Sequence, residues 1–272
     1  MTDLLANYGS HLQHAAIALI IMLPLERLLP RNRDQKVLRP HWRTDLAHAL
    51  FNFLLITSVA IALAAGIITL LAPLIPASFK AAIAAQPLWL QFIEVFVIAD
   101  LYYYTMHYAA HKIPLLWRFH AVHHSIEDMD WLATHRVHPV DQILTGSATL
   151  IIPIAMGYSA EALILFSLQF SWHSLLKHSN VKVTWGPLRW IYCTPLFHHW
   201  HHSNEPGSWD KNFAGQLPLI DLIFGTANMT EHRPPEVYGV ADPVPTDYVG
   251  QLAYPFREAS RASNTPAMTP AE

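Results

Sequence analysis

The feature that most constrains this chain is its long segments without charge. Residues 49–75 are 27 consecutive residues with no Asp, Glu, Lys or Arg. A helix needs roughly 20 mostly apolar residues to cross the hydrocarbon layer of a membrane, which is about 30 Å thick. Residues 4–25 form a second uncharged segment, and residues 83–106 form a third apolar segment that includes Glu94 and Asp100. These lengths predict helices that cross a membrane.

Two further apolar segments, residues 143–160 and 162–176, meet at residues 158–161. Each is short for a full crossing, so they form either two brief spans or a re-entrant hairpin. Only 14% of the residues are charged, whereas soluble domains carry about 25%. We therefore expect an all-α, multi-pass membrane protein with four or five membrane segments.

The positions of Lys and Arg predict how the chain is oriented. Six of the 17 basic residues lie between the first two segments, and Lys80 alone lies between the second and the third. Loops rich in Lys and Arg remain in the cytoplasm, which places residues 107–142 and the residues after 176 there as well. A net charge of -3 gives no electrostatic basis for nucleic acid as a partner.

Histidine is unusually frequent, and 13 of the 18 histidines lie between His107 and His202. Three groups have helical spacing, in which residues three and four apart share a face. These groups are His107 and His111; His120, His123 and His124; and His198, His201 and His202. A zinc ion uses three or four protein ligands, so eight imidazoles suit two metal ions. Imidazole binds iron, copper, nickel and zinc alike, so we predict a two-metal site in a cytoplasmic helical cap without choosing the metal.

Three more histidines are candidates. His178 follows the last apolar segment and is the strongest of them. His173 precedes it by five residues, which separates the two rings by about 140° on an ideal helix, so both can bind only if the helix ends or bulges between them. His138 precedes a proline, which restricts its backbone and makes its role as a ligand less certain.

Acidic residues near the histidines have two interpretations each. Asp100 lies two helical turns before His107, so its carboxylate could accept a hydrogen bond from a ligand imidazole and fix its tautomer. A carboxylate that faces another helix is an equal alternative. The acidic residues at 127, 128, 130 and 141 could offset the charge of a metal site, although we expect them on the solvated surface.

The three histidine groups resemble the histidine boxes of the fatty acid hydroxylase (sterol desaturase) superfamily. The neighbouring stretches at residues 124–127, 136–139, 177–180 and 212–226 are also similar to that family. The resemblance covers residues 92–226, interpreted as a catalytic domain. Membrane segments and a basic loop occupy residues 1–91, and residues 227–272 form a tail whose last dozen residues we predict to be disordered.

The resemblance implies a non-haem di-iron oxygenase of the membrane. Such an enzyme uses O2 and two external electrons to hydroxylate or desaturate a C–H bond of a lipid, such as a sterol, a fatty acyl chain, an alkylglycerol or a carotenoid. The eight box histidines would bind the two iron ions, with His178 as a ninth ligand and His173 as a weaker match.

No Gly-x-Gly-x-x-Gly nucleotide fingerprint and no His-Pro-Gly-Gly stretch of a fused cytochrome b5 occurs in the sequence. Electrons would therefore come from a separate cytoplasmic carrier of the ferredoxin or cytochrome b5 type. The alternatives are a histidine-rich membrane metal-binding or transport protein, which would place its ligands within the spans, and a membrane metallohydrolase. The His-Glu-x-x-His motif of many metallohydrolases is missing.

Overall fold

The computed structural model describes residues 2–229 and 233–257, with the side chains of the first helix described from residue 7 onward. Within these ranges the chain is helical and has no β-strand apart from two isolated bridges. This confirms the predicted all-α class. The predicted disorder of the last dozen residues lies outside the described ranges.

Eleven helices follow one another along the described residues. They are α1 (Thr2–Leu28), α2 (Trp42–Leu71), α3 (Ala77–Ala84), α4 (Leu88–Lys112), α5 (Pro114–His124), α6 (Pro139–Asp141), α7 (Ile151–Met156), α8 (Ala160–His178), α9 (Pro195–His201), α10 (Pro218–Phe224) and α11 (Tyr248–Ala253). A π-turn, Gln142–Gly146, and a 3₁₀ turn, Ser147–Leu150, join α6 to α7. Another 3₁₀ turn, Trp131–His135, lies between α5 and α6.

Three helical stretches of the described chain are long and apolar enough to cross a membrane: Asn7–Leu28, Trp42–Leu74 and Pro139–Met156. Helices α3 and α4 are bent by 119° at the break between them and make a fourth if they form one span. Ile20 and Leu70 are 70% and 74% exposed, and extended apolar surface of this kind marks a membrane or protein contact. The structure thus supports three or four spans, and a fifth stays a prediction.

The two short apolar segments become separate helices that meet where the sequence predicts, and whether they cross the membrane or re-enter it stays a prediction. Helix α7 ends at Gly157, whose φ of 90° suits glycine. Ser159 caps α8, because its hydroxyl accepts a hydrogen bond from the Ala162 amide. The Tyr158 hydroxyl donates to Glu94 at 2.8 Å. Glu94, a charged residue in an apolar segment, therefore has the polar partner that its position requires.

Helix α4 is central, since it packs against both α5 and α8. Its Val95 and Ala99 are fully buried against Ala162 and Phe166 of α8. Pro114 begins α5 directly after α4, at a position where the missing amide hydrogen is not needed. This connection holds the last turn of α4 beside α5, and those two segments carry the first and second histidine boxes.

A buried network of charges joins the start of α2 to the segment between α5 and α6. Arg39 donates two hydrogen bonds to Asp130, both at 2.7 Å, and one to Asp45 at 2.5 Å. Asp45 also accepts a hydrogen bond from Arg136. The expectation that Asp130 lies on the solvated surface is therefore wrong, because it is only 6% exposed and the arginine offsets its charge, as buried charges require.

Candidate metal centre

Among the described residues, nine histidines form two compact groups. The first group contains His107, His111, His120, His124 and His201, and the second contains His123, His178, His198 and His202. Within each group, one ring nitrogen of every histidine lies within 4.8 Å of the others. The structure thus brings together the nine histidines that we proposed as ligands, and their binding of a metal stays a prediction.

Helical geometry divides the second box between the two groups. His120 and His124 of α5 belong to the first group, whereas His123 belongs to the second. On a helix with 3.6 residues per turn, residues four apart differ in direction by only about 40°. The direction of His123 differs by about 60° from that of His120 and by about 100° from that of His124. This angle directs one imidazole of the box away from the other two.

The third box divides in the opposite sense. His198 and His202 belong to the second group, and His201 belongs to the first. Helix α9 begins at Pro195 because the Thr194 hydroxyl caps it by accepting a hydrogen bond from the Phe197 amide at 3.1 Å. Each of these two boxes therefore supplies both groups from about one turn of helix.

Backbone carbonyls fix the tautomer of four of the rings, since each carbonyl accepts a hydrogen bond from an Nδ1 atom. The pairs are His107 with Phe213 at 2.7 Å, His123 with Arg136 at 2.9 Å, His178 with Ser174 at 2.8 Å, and His201 with Lys211 at 2.8 Å. A carbonyl oxygen only accepts, so Nδ1 carries the proton and Nε2 of the neutral ring keeps its lone pair.

The Nε2 lone pairs then face one another inside each group. Nε2 of His178 lies 3.2 Å from Nε2 of His123 and 2.9 Å from Nε2 of His198. Nε2 of His201 is buried and has no hydrogen-bond partner in the described part of the chain. Facing lone pairs repel unless a proton or a cation lies between them. Two nitrogens bound at right angles to one ion at about 2.1 Å are about 3.0 Å apart, so the donor sets fit metal ions.

Burial disfavours protonation as the other way to relieve this repulsion. It lowers the pKa of His123 to about 3, and the neighbouring His120 ring adds to the effect. Burial also lowers the pKa of His198, His201 and His202 well below the ordinary value of an imidazole. The rings are therefore neutral at physiological pH, which is the form that binds a metal.

Asp141 orients one of the candidate ligands. Its carboxylate accepts a hydrogen bond from His120 Nδ1 at 2.9 Å, and both side chains are buried. A carboxylate in this position fixes the ring tautomer and makes the imidazole a stronger ligand. The expectation that Asp141 lies on the solvated surface is therefore wrong, and the alternative, that it offsets the charge of the site, agrees with its position.

The stretch between α9 and the end of α10 supports the first group. Asp221 accepts hydrogen bonds from the amides of Phe213 and Ala214 at 2.8 Å and from the Thr226 hydroxyl at 2.6 Å. These bonds hold the Phe213 carbonyl against His107. Asp221 belongs to a stretch already noted for its family resemblance, and the structure assigns it this supporting contact.

Asp210 was missed by the sequence reasoning. Its carboxylate lies 3.6 Å from His111 Nδ1 and 2.5 Å from Lys112 Nζ. It lies in the loop after the third box, and its spacing in the sequence gives no sign that it meets the end of α4.

Asp100 does not make the hydrogen bond that we expected. Its carboxylate accepts a hydrogen bond from the Leu217 amide at 2.7 Å, while His107 Nδ1 donates to Phe213. A Cβ atom on Gly215 would lie 2.7 Å from Asp100 Oδ1, so glycine is needed for this close approach. Asp100 thus supports the start of α10 at Leu217, which agrees with the alternative of a carboxylate that faces another helix.

The two weaker histidine candidates lie outside both groups. His173 contacts the Cys193 carbonyl through Nε2 at 2.8 Å and stacks on Tyr192. Nδ1 of His138 accepts a hydrogen bond from the Val140 amide at 3.1 Å and so caps α6. His173 is buried on α8 five residues before His178, and the helix neither ends nor bulges between them, so its ring points about 140° away from His178 and does not reach the second group.

A cavity of about 530 Å³ leads to the histidine groups from between α1, α2, α4 and α8. His120, His123 and His178 line one part of it, and apolar residues of α2, such as Ile56 and Ile61, line another. A second cavity, of about 350 Å³, reaches His111, His124 and His201 of the first group. Each histidine group therefore borders a cavity, and the two cavities share no lining residue.

The apolar helices are long enough to cross a membrane, and the two histidine groups are arranged as metal ligands would be. The family model described as fatty acid hydroxylase matches residues 92–226. The chain belongs to the fatty acid hydroxylase (sterol desaturase) superfamily.

The curated relatives act on lipids, according to their names. Ornithine lipid hydroxylase OlsE of Rhizobium tropici is 29% identical over 267 residues, which cover 91% of this chain and 75% of that protein. Alkylglycerol monooxygenase of Homo sapiens is 35% identical over 154 residues, 56% of this chain and 34% of that protein. Very-long-chain aldehyde decarbonylase GL1-11 of Oryza sativa subsp. indica is 28% identical over 141 residues, 50% of this chain and 52% of that protein. No solved structure matches this chain.

Proposed function

We propose that this protein is a membrane oxygenase that binds two iron ions and hydroxylates or desaturates a C–H bond of a lipid with O2. The observation that carries the proposal is the set of facing, unprotonated Nε2 atoms beside an apolar cavity. These atoms provide five nitrogen donors in one group and four in the other, and the cavity provides a place for a hydrophobic chain.

The relatives support the choice of reaction class. Their printed names include two oxygenases that act on lipids and a decarbonylase that acts on a very-long-chain aldehyde. Imidazole donors suit iron as well as zinc or copper, and iron is the metal that the family resemblance implies. When bound, the two iron ions would supply the redox chemistry that activates O2.

The protein's own residues would keep the ligand rings in place and exclude water from the reacting carbon. Nδ1 contacts with backbone carbonyls and with Asp141 lock the ligand rings in one orientation. The walls contributed by α1, α2 and α8 would exclude water from the carbon being oxidised. Tyr103 and Phe170 also line the cavity and would help to position an apolar chain.

Two electrons must reach the metal groups in each turnover. We propose that a separate cytoplasmic carrier of the ferredoxin or cytochrome b5 type delivers them, with the histidine groups on the cytoplasmic side. The 350 Å³ cavity beside His111 and His201 supports a route that does not pass through the lipid cavity.

The test has two parts. Protein purified without oxygen should contain two iron ions per chain and no haem absorption band. Membranes of cells that make the protein should contain a lipid that has gained one oxygen or lost two hydrogens, compared with cells that lack it. A metal content of one ion per chain, or unchanged lipids in the presence of a functional reductase system, would contradict the proposal.

Single substitutions connect the metal groups to the activity. His201→Ala in the first group and His123→Ala in the second should each abolish turnover and reduce the iron content, while the protein still inserts in the membrane. His41→Ala is the matched control, since His41 lies outside both groups. Full activity in either ligand variant would remove that residue from the ligand set.

A further inference from the structure

Four histidines outside the two histidine groups line the 530 Å³ cavity. They are His11 and His14 of α1, His48 of α2 and His135 at the end of the 3₁₀ turn Trp131–His135. An unbranched hydrocarbon needs no polar partner, so a cavity made only for such a chain gains nothing from four imidazoles. Their presence therefore requires another explanation.

Several nitrogens of these rings are available to a ligand. Nδ1 of His48 is buried and has no partner in the described ranges, while its Nε2 bonds to Gln251 at 2.7 Å. The His135 ring makes no hydrogen bond with another described residue. His11 donates from Nε2 to the Ala49 carbonyl at 2.7 Å, which leaves its Nδ1 as an acceptor. The wall thus offers both donors and acceptors.

Part of this polar wall lies close to the candidate metal ligand His178. Thr134, the residue before His135, has its hydroxyl 3.0 Å from Nδ1 of the candidate ligand His178. Asn52, one turn after His48 on α2, donates to the Val137 carbonyl at 2.8 Å. Ile61 lies 13 residues beyond His48, which is about 20 Å along a helix, and it lines the apolar part of the same cavity.

The charges around the cavity favour a neutral ligand. Among the described lining residues, Asp141 is the sole carboxylate, and it already accepts a hydrogen bond from His120. The sole lining cation is Lys177, whose ammonium donates to the Gly215 carbonyl at 3.3 Å. Burial lowers the pKa of His135 to about 4, so this ring is neutral at pH 7 and can donate and accept.

We propose that His11, His14, His48 and His135 bind the uncharged polar head group of the lipid substrate, a hydroxyl or an amide. The assignment of this lipid as the substrate rests on the proposed function. With the head group at this wall, the chain extends along α2 toward Ile61, and the carbons nearest the metal groups are those close to the head group.

The experiment compares two probes with the same chain, one with free hydroxyls and one in which both hydroxyls are methylated and can no longer donate a hydrogen bond. The first is 1-O-hexadecylglycerol, which has two free hydroxyls, and the second is its dimethyl ether. Dissociation constants are measured with the full chain at a fixed detergent concentration. His135→Leu should weaken binding of the diol about five- to tenfold, because one or two neutral hydrogen bonds are lost. It should weaken binding of the ether by a smaller factor, because the ether has acceptors but no donors.

Two further variants separate the loss of hydrogen bonds to the head group from a change in the shape of the cavity. His135→Gln keeps a donor and an acceptor and should restore most of the affinity for the diol. Ile56→Leu alters the apolar part of the cavity and should change the binding of both probes by the same factor. Metal content, measured on the same samples, should be equal in all of them.

The outcomes distinguish this inference from the proposed function. Equal effects of His135→Leu on the diol and the ether, or no effect on either, would overturn the head-group site even in a protein that oxidises lipids. If His135→Leu weakens binding of the diol more than binding of the ether, but the protein oxidises no lipid, the head-group site is supported and the oxygenase proposal is contradicted.

Discussion

Replacing Asp141 with alanine tests how one carboxylate controls a metal ligand. The carboxylate accepts the hydrogen bond of His120 Nδ1 at 2.9 Å inside the protein, where both side chains are less than 5% exposed. Without it, the His120 N–H is left buried without an acceptor, and the ring can rotate or change its tautomer. We expect the first histidine group to bind its metal more weakly and the second group to be unaffected.

The size of the effect follows from the burial of this contact. A buried donor left without its acceptor costs about 1–3 kcal/mol, which corresponds to roughly 5- to 150-fold in a binding constant. Loss of a carboxylate behind a metal-bound imidazole typically costs about 10- to 100-fold in metal affinity or activity. Both lines of reasoning predict the same range for Asp141→Ala.

The assay is a titration with a chelator that competes for the metal, followed by measurement of the metal left on each chain. The variant should release one ion at about 10- to 100-fold lower chelator concentration than the wild type and retain the other. Glu127→Ala removes an equal charge from an exposed position and should leave the titration unchanged. Two ions released together, or both released as in the wild type, would refute the role assigned to Asp141.

Three other predictions concern the stability of the protein and which histidines belong to the two histidine groups. Arg39→Met breaks the buried charge network and should lower the free energy of unfolding by about 3–5 kcal/mol, whereas the exposed Arg43→Met should change it by less than about 0.5 kcal/mol; equal losses would contradict the network's role. His173→Leu should keep two metal ions per chain, while His202→Ala should keep about one, both measured by elemental analysis. The melting temperature should fall between about pH 6.5 and pH 4, because burial lowers the pKa of His135 to about 4 and the unfolded chain binds that proton first. His135→Leu should make this fall less steep, and an unchanged slope would show that other groups determine it.

The helical class and most of the membrane segments could be predicted because they depend on local sequence. An uncharged segment such as residues 49–75 has few ways to satisfy its backbone other than a helix. The break at Gly157 between α7 and α8 was also predictable in position, since polar and small residues interrupt two apolar segments there. The network around Arg39 was not predictable, because Arg39 meets Asp130, and Asp45 meets Arg136, each across 91 residues of sequence.

The members of the metal groups were predictable for a similar reason. Spacings of three and four residues on α5 and α9 constrain the directions of the imidazoles before any tertiary contact forms. The supporting contacts depend on the fold. Asp141 reaches His120 across 21 residues, and Asp100 meets Leu217 across 117, so helical spacing alone could not show which neighbour either carboxylate would contact.

The sharing of each HxxHH box between the two histidine groups affects how the chain tolerates insertions and deletions. The separation of the two ions would be set by the pitch of α5 and α9 and would be independent of loop length. One residue inserted between His120 and His123 would turn the later imidazoles by about 100° and dismantle both sites together. Residues added at the exposed Pro206 and Gly207 would leave that spacing intact, so this part of the surface could vary in length while the distance between the two ions would stay constant.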